Sequence, residues 1–74
     1  MTQAPVAARI RINGQDEVVA VTTLAALLEA KALDVAQRGI AVALNGEVVP
    51  RAAWTETLLR PGDRVEIVRA RQGG

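Results

Sequence analysis

Thr22, Thr23, Thr55 and Thr57 are hydroxyls that could in principle act as nucleophiles, and only carboxylates and Lys31 stand ready to activate them. His, Cys, Ser and Tyr are absent. Their absence removes the usual general base, the thiolate nucleophile, thiolate and imidazole metal sites, disulfides, and any Ser-His-Asp or Cys-His constellation. Threonines so placed serve as helix caps and turn hydroxyls. The chain is therefore expected not to be an enzyme and to hold no metal or cofactor of its own. What remains is the end of the chain, Gly73-Gly74. Glycine loses the most conformational freedom on ordering and adds no packing, so a diglycine is a poor way to finish a fold. It does let the backbone enter a narrow channel and leaves the terminal carboxylate unhindered, which suits a substrate.

The rest of the chain must position that end. With 74 residues, 50% of them hydrophobic, the sequence reads as one domain spanning 1–74 without linker, repeat or low-complexity tract. A chain of this size buries only about 60% of the surface its unfolded form exposes, so every apolar stripe is needed for the core. No apolar run approaches the ~20 residues of a membrane span. Met1 to Val6 lacks the basic and hydrophobic regions of a signal peptide, and the expected location is the cytoplasm. Net charge is +1, and Trp54 is the one aromatic residue, which disfavours nucleic-acid binding by base stacking. Basic residues gather near the ends: Arg9 and Arg11 early, Arg64, Arg69 and Arg71 late. If the end segments pair, these are expected to form one electropositive surface near the tail.

Arg9-Ile10-Arg11-Ile12 alternates polar and apolar residues as a half-buried strand does, and Asn13-Gly14 supplies the turn pair that tolerates positive φ. Val18 to Val21 completes a hairpin. Leu24, Leu27 and Leu28 then fall at helical spacing among good helix formers. Thr22 or Thr23 is the expected N-cap, without the Glu or Gln of a capping box, and the helix is expected to end near Ala32. Leu33 and Val35 would close the core before Gln37-Arg38-Gly39 leads out. Ile40, Val42 and Leu44 mark a buried strand, a second turn pair follows at Asn45-Gly46, and Pro50 makes Glu47-Val48-Val49 an edge strand. Arg51 to Leu59 reads as a short helical or irregular connection with Trp54 and Leu58 pointing inward. A buried Trp54 requires a partner for its indole N–H. Arg60-Pro61-Gly62-Asp63 fits a type II turn. Arg64 to Arg69 is the last strand, with Val65 and Ile67 on the core face and Glu66 and Val68 on the other. One helix with four or five strands defines an α+β layer, and rich β-branched content places the first and last strands at the sheet centre. A β-grasp has this layout, as do other small α+β folds.

Ala43 to Arg51, Leu59 to Val68, the Thr23–Leu28 helix, the Asn13-Gly14 turn and the terminal Gln72-Gly73-Gly74, in this order and spacing, resemble the ThiS family of sulfur carriers in thiamine biosynthesis. The resemblance runs from Arg9 to Gly74. It implies a ubiquitin-like β-grasp, a four- to five-stranded mixed sheet on one main helix. Residues 1–7 are then expected to be disordered, and 70–74 a flexible tail. It further implies that an E1-like activating enzyme, using ATP and Mg²⁺, adenylates Gly74. A sulfur donor system then converts the end to a thiocarboxylate, which thiazole synthase consumes. Gly73 would be the thin residue before the reacting end, with Gln72 behind it. The empty catalytic inventory is what such a carrier would show. Val68, Leu59 and Val48 are expected on the partner surface, with Arg69 and Arg71 adding basic character near the tail; free of partners, the domain is expected to be a monomer.

Three alternatives share these features. A related carrier, such as the small subunit of molybdopterin synthase, would have the same fold and activation chemistry. A ubiquitin-like modifier would end in an isopeptide bond from Gly74 to a lysine. An interaction domain would carry the diglycine incidentally.

Overall fold

The computed structural model describes residues 7–31, 33 and 39–69. Expectations for residues 1–6, for a helix end at Ala32, for Val35 in the core, for Gln37-Arg38 and for the tail from Ala70 to Gly74 lie outside them.

Two hairpins form where the Asn-Gly pairs stand. Strands β1 (Ala8–Ile12) and β2 (Gln15–Val19) pair antiparallel across Asn13-Gly14. Strands β3 (Ile40–Leu44) and β4 (Glu47–Val49) do so across Asn45-Gly46. Both asparagines take positive φ, 50° and 52°, and the glycines after them 83° and 88°, as a tight turn matching strand twist requires. The two-residue turn makes Gln15 pair at once with Ile12, so β2 starts earlier than its apolar residues do. It also ends at Val19, opposite Ala8, leaving Ala20 and Val21 outside the strand.

The last strand, β5 (Arg64–Arg69), enters the sheet between the hairpins, giving the order β2-β1-β5-β3-β4. It runs parallel to β1 and antiparallel to β3. Gly62, at φ 89°, makes the turn before it, and Asp63 N–H closes that turn on the Arg60 carbonyl at 3.1 Å. The result is a mixed five-stranded sheet with one α-helix against one face, a β-grasp, and β4 is an edge strand as Pro50 requires.

The helix α1 (Leu24–Ala30) has seven residues, too few to be stable alone, and the chain after β4 holds its start. Thr23 is the N-cap, its Oγ1 accepting Ala26 N–H at 3.1 Å. Leu24 N–H donates to the Thr57 carbonyl at 2.9 Å and Ala25 N–H to that of Trp54 at 3.0 Å. Three donors that a helix start leaves open are thus satisfied without a capping box. At the other end the single lysine, Lys31, spans both oxygens of Glu17 on β2 at 2.7 and 2.9 Å, fastening the helix to the sheet edge.

Ile10, Ile12, Val42 and Val65 from the sheet meet Leu24, Leu27 and Leu28 from the helix, with Leu33 and Trp54 at the margins. Trp54 is 2% exposed, and its indole N–H finds the Val49 carbonyl at 2.9 Å. The connection is a 3₁₀ turn over Arg51–Ala53, after which Thr23 and Leu58 form an antiparallel bridge. That bridge corrects the expectation for Leu58. Counting four residues from Trp54 assumed a continuing helix, but the chain has become extended and its side chains alternate. Leu58 is 60% exposed, and Leu59, bonded through its N–H to the Thr22 carbonyl, packs on the core instead.

Candidate functional site

β5 is the strand that delivers the C-terminus, and its neighbours hold it from both sides. Asn45 N–H donates to the Arg64 carbonyl at 2.7 Å, and its side-chain Oδ1 accepts Arg64 N–H at 2.9 Å. On the other flank Asn13 Oδ1 accepts Ile67 N–H at 2.8 Å while Nδ2 donates to the Ile67 carbonyl at 3.3 Å. The asparagines that make the turns therefore also extend the ladders beside β5, past the point where β1 has turned away. Asp63 completes the entry, accepting Asn45 Nδ2 at 3.0 Å and Arg60 N–H at 2.7 Å. These contacts give β5 a fixed register up to Ile67, two residues before the strand ends at Arg69.

The face of the sheet turned away from the helix divides into two. Ala41 lies opposite Val68, and Ala43 opposite both Val48 and Glu66. Val48 is 78% exposed and Val68 is 61% exposed, and with the two small alanines they line a shallow hollow of about 190 Å³. This apolar half lies beside the end of β5. Leu59, which the sequence placed with Val68 and Val48, is on the core side and does not belong to it. The exposed Leu58 stands by itself near the helix start, across from Thr23. Arg69 is exposed at the last position of β5; Arg71, Gln72, Gly73 and Gly74 lie outside the described residues.

The other half is cationic. Arg9 and Arg11 on β1 and Arg64 on β5 share the outer face, with Arg11 directly opposite Arg64. The sequence placed such a surface near the tail. The structure places it at the opposite end, because β1 and β5 are parallel and overlap only where β5 begins. Among the described residues no group of acidic side chains is arranged to hold a metal ion, and no helix is long and apolar enough to cross a membrane.

What the molecule presents is a fixed central strand leading to the C-terminus, beside a small apolar patch. The ThiS family model matches residues 7–74, from the residue before β1 through the terminal diglycine. The chain belongs to the ThiS family. Among solved ThiS-family structures, the crystal structure of the thiamine biosynthesis protein ThiS from Geobacter metallireducens is similar at a TM-score of 0.72 and 34% identity, covering 89% of this chain and 99% of that one. A solution structure of a thiamine biosynthesis protein from the same organism gives 0.73 and 32% over 89% of this chain and 87% of that one. The sulfur carrier protein ThiS of Escherichia coli K12 is 36% identical over 42 residues, 57% of this chain and 64% of that protein's length. For a ThiS-family chain the Asn-Gly pairs do more than turn the hairpins. Nothing in the local sequence signals that their amides reach β5.

Proposed function

We propose that this chain is a sulfur carrier of thiamine biosynthesis and that Gly74 bears the sulfur. The observation that carries this reading is the family match through residue 74 on a strand whose register is fixed as far as Arg69, five residues before that end. From Arg69 to Gly74 the chain can span at most about 18 Å, enough to enter another protein's active site while the sheet face rests against its surface.

A carboxylate is a poor electrophile because its charge repels nucleophiles and oxide is a poor leaving group. Transfer of AMP from MgATP to the Gly74 carboxylate releases pyrophosphate and makes AMP the leaving group. Attack by hydrosulfide on the acyl carbon then forms the C–S bond, breaks the C–O bond to AMP and releases a proton, leaving the thiocarboxylate. A protein persulfide would serve equally, the resulting acyl disulfide being opened by a thiol. The thiocarboxylate donates its sulfur to thiazole synthase. The nucleotide site, metal and sulfur donor belong to partner enzymes, which is why a chain lacking Cys and His suffices.

Intact-mass spectrometry after incubation with the cognate adenylating enzyme, ATP, Mg²⁺ and sulfide tests this. The expected result is replacement of one oxygen by sulfur, abolished by deleting Gly74. An unchanged mass, with an enzyme active on its own established carrier, would overturn the reading.

A further inference from the structure

We infer that the cationic half of the outer sheet face is a second docking surface, which seats a carboxylate-rich surface of the enzyme that activates the tail. The inference rests on the carrier reading and adds a partner surface to it. Arg9, Arg11 and Arg64 line an open depression of about 440 Å³ on the outer face, together with Asp16, Pro61, Gly62 and the chain at Ile10. Asp16 stands at its edge, and Glu66, exposed two residues beyond Arg64 on the same face of β5, lines the adjoining hollow with Arg11 and Arg64. Asp16 meets Arg11 through a single 3.3 Å contact in which both side chains are more than half exposed, so it offsets little of the charge. Among the described residues no carboxylate lies within ion-pair distance of Arg9 or Arg64.

Arg11 directly opposite Arg64 is an arrangement that local stability opposes, since like charges paired across a ladder repel. A residue pair that works against its own sheet on a solvent face is the signature of a demand from outside the fold. The demand here is for anionic groups, and guanidinium forks suit carboxylates. Protein is the occupant that the surroundings favour. Exposed aromatic rings for stacking bases are absent among the described residues, Trp54 being buried, and the patch has no large exposed apolar side chain for a bilayer apart from Val18 at its edge.

Position singles out the activating enzyme. Adenylation brings an anionic tail toward the phosphates of ATP, an approach that charge opposes. A cationic surface at the far end of β5 supplies attraction without entering the nucleotide site. From Arg64 to Arg69 the strand advances about 17 Å, so the enzyme's acidic surface is expected at roughly that distance from the mouth of its tail channel. The apolar patch around Val68 lies between the two on the same sheet face, with Glu66 separating it from Arg64.

Stopped-flow association of the full chain with its cognate adenylating enzyme, across a range of ionic strength, tests this. Arg9→Glu/Arg64→Glu is expected to bind about 10-fold more slowly or worse at low salt, with the difference shrinking as salt rises. Val68→Asp is expected to act mainly on dissociation. Circular dichroism and the fluorescence of Trp54 report whether each variant is folded. A folded double variant that associates at the wild-type rate at low salt overturns the inference and leaves the carrier reading standing. Failure of the wild-type chain to bind this enzyme at any ionic strength overturns both. Tighter binding of the wild-type chain to polyuridylate or to phosphatidylserine vesicles than to the enzyme, lost in the double variant, overturns the protein partner in favour of a polyanion.

Discussion

The side-chain amide of Asn13 pairs with both backbone groups of Ile67, 54 residues away, accepting its N–H at 2.8 Å and donating to its carbonyl at 3.3 Å. An amide side chain carries one acceptor and two donors on a flat group, so it can imitate a strand neighbour. It does so here because β1 has already turned and cannot supply one. The same residue, at φ 50°, makes the turn. Hairpin geometry and the register of the C-terminal strand are thereby one device.

Asn13→Gly keeps the positive φ and deletes the amide. The expected loss is about 1–2 kcal/mol for two exposed hydrogen bonds, measured as a lower urea midpoint at unchanged slope. Asn13→Ala should lose more, because alanine also resists the left-handed conformation. Equal midpoints for wild type and Asn13→Gly would mean that water replaces the amide without cost.

Trp54 joins the helix start, the 3₁₀ turn and the edge strand. Trp54→Phe retains most of the ring and removes the donor to the Val49 carbonyl, an expected loss of about 1–3 kcal/mol. Trp54→Ala should cost about 3–5 kcal/mol, a large share of the stability a chain of this size can possess. Thermal unfolding followed by circular dichroism separates the two. A melting temperature for Trp54→Ala close to wild type would contradict the packing described.

Lys31 and Glu17 form the fastening between helix and sheet edge, each about one third exposed. A double-mutant cycle of Lys31→Ala and Glu17→Ala is expected to give a coupling of about 0.2–1 kcal/mol that weakens in high salt. A zero coupling energy at low salt would show that the contact holds nothing.

Val48 and Val68 touch solvent, so polar substitution there should leave the fold alone. Val68→Asp and Val48→Asp are expected to unfold within about 0.5 kcal/mol of wild type while conversion by the adenylating enzyme falls. Full conversion of both variants at limiting enzyme would remove the apolar patch from the footprint.

The sequence by itself determined the elements whose causes are local. Two Asn-Gly pairs mark both hairpins, the Thr22-Thr23 pair begins the helix (the fold selects Thr23 as the cap), Pro50 consigns β4 to an edge, and Gly62 allows the turn into β5. Alternation also tells which side chains of β5 face the core, since period two requires only knowledge of the strand. Tertiary structure decided what depends on a neighbour. Periodicity shows the face of a residue and nothing of who stands beside it, so the amides of Asn13 and Asn45 reaching β5 could not be read. For the same reason the parallel overlap of β1 with the start of β5, which carries the arginines away from the tail, appears only in the fold. Leu58 and Leu59 exchange places because one bridge to Thr23 switches the chain from helical to extended, and that bridge forms between segments far apart in sequence.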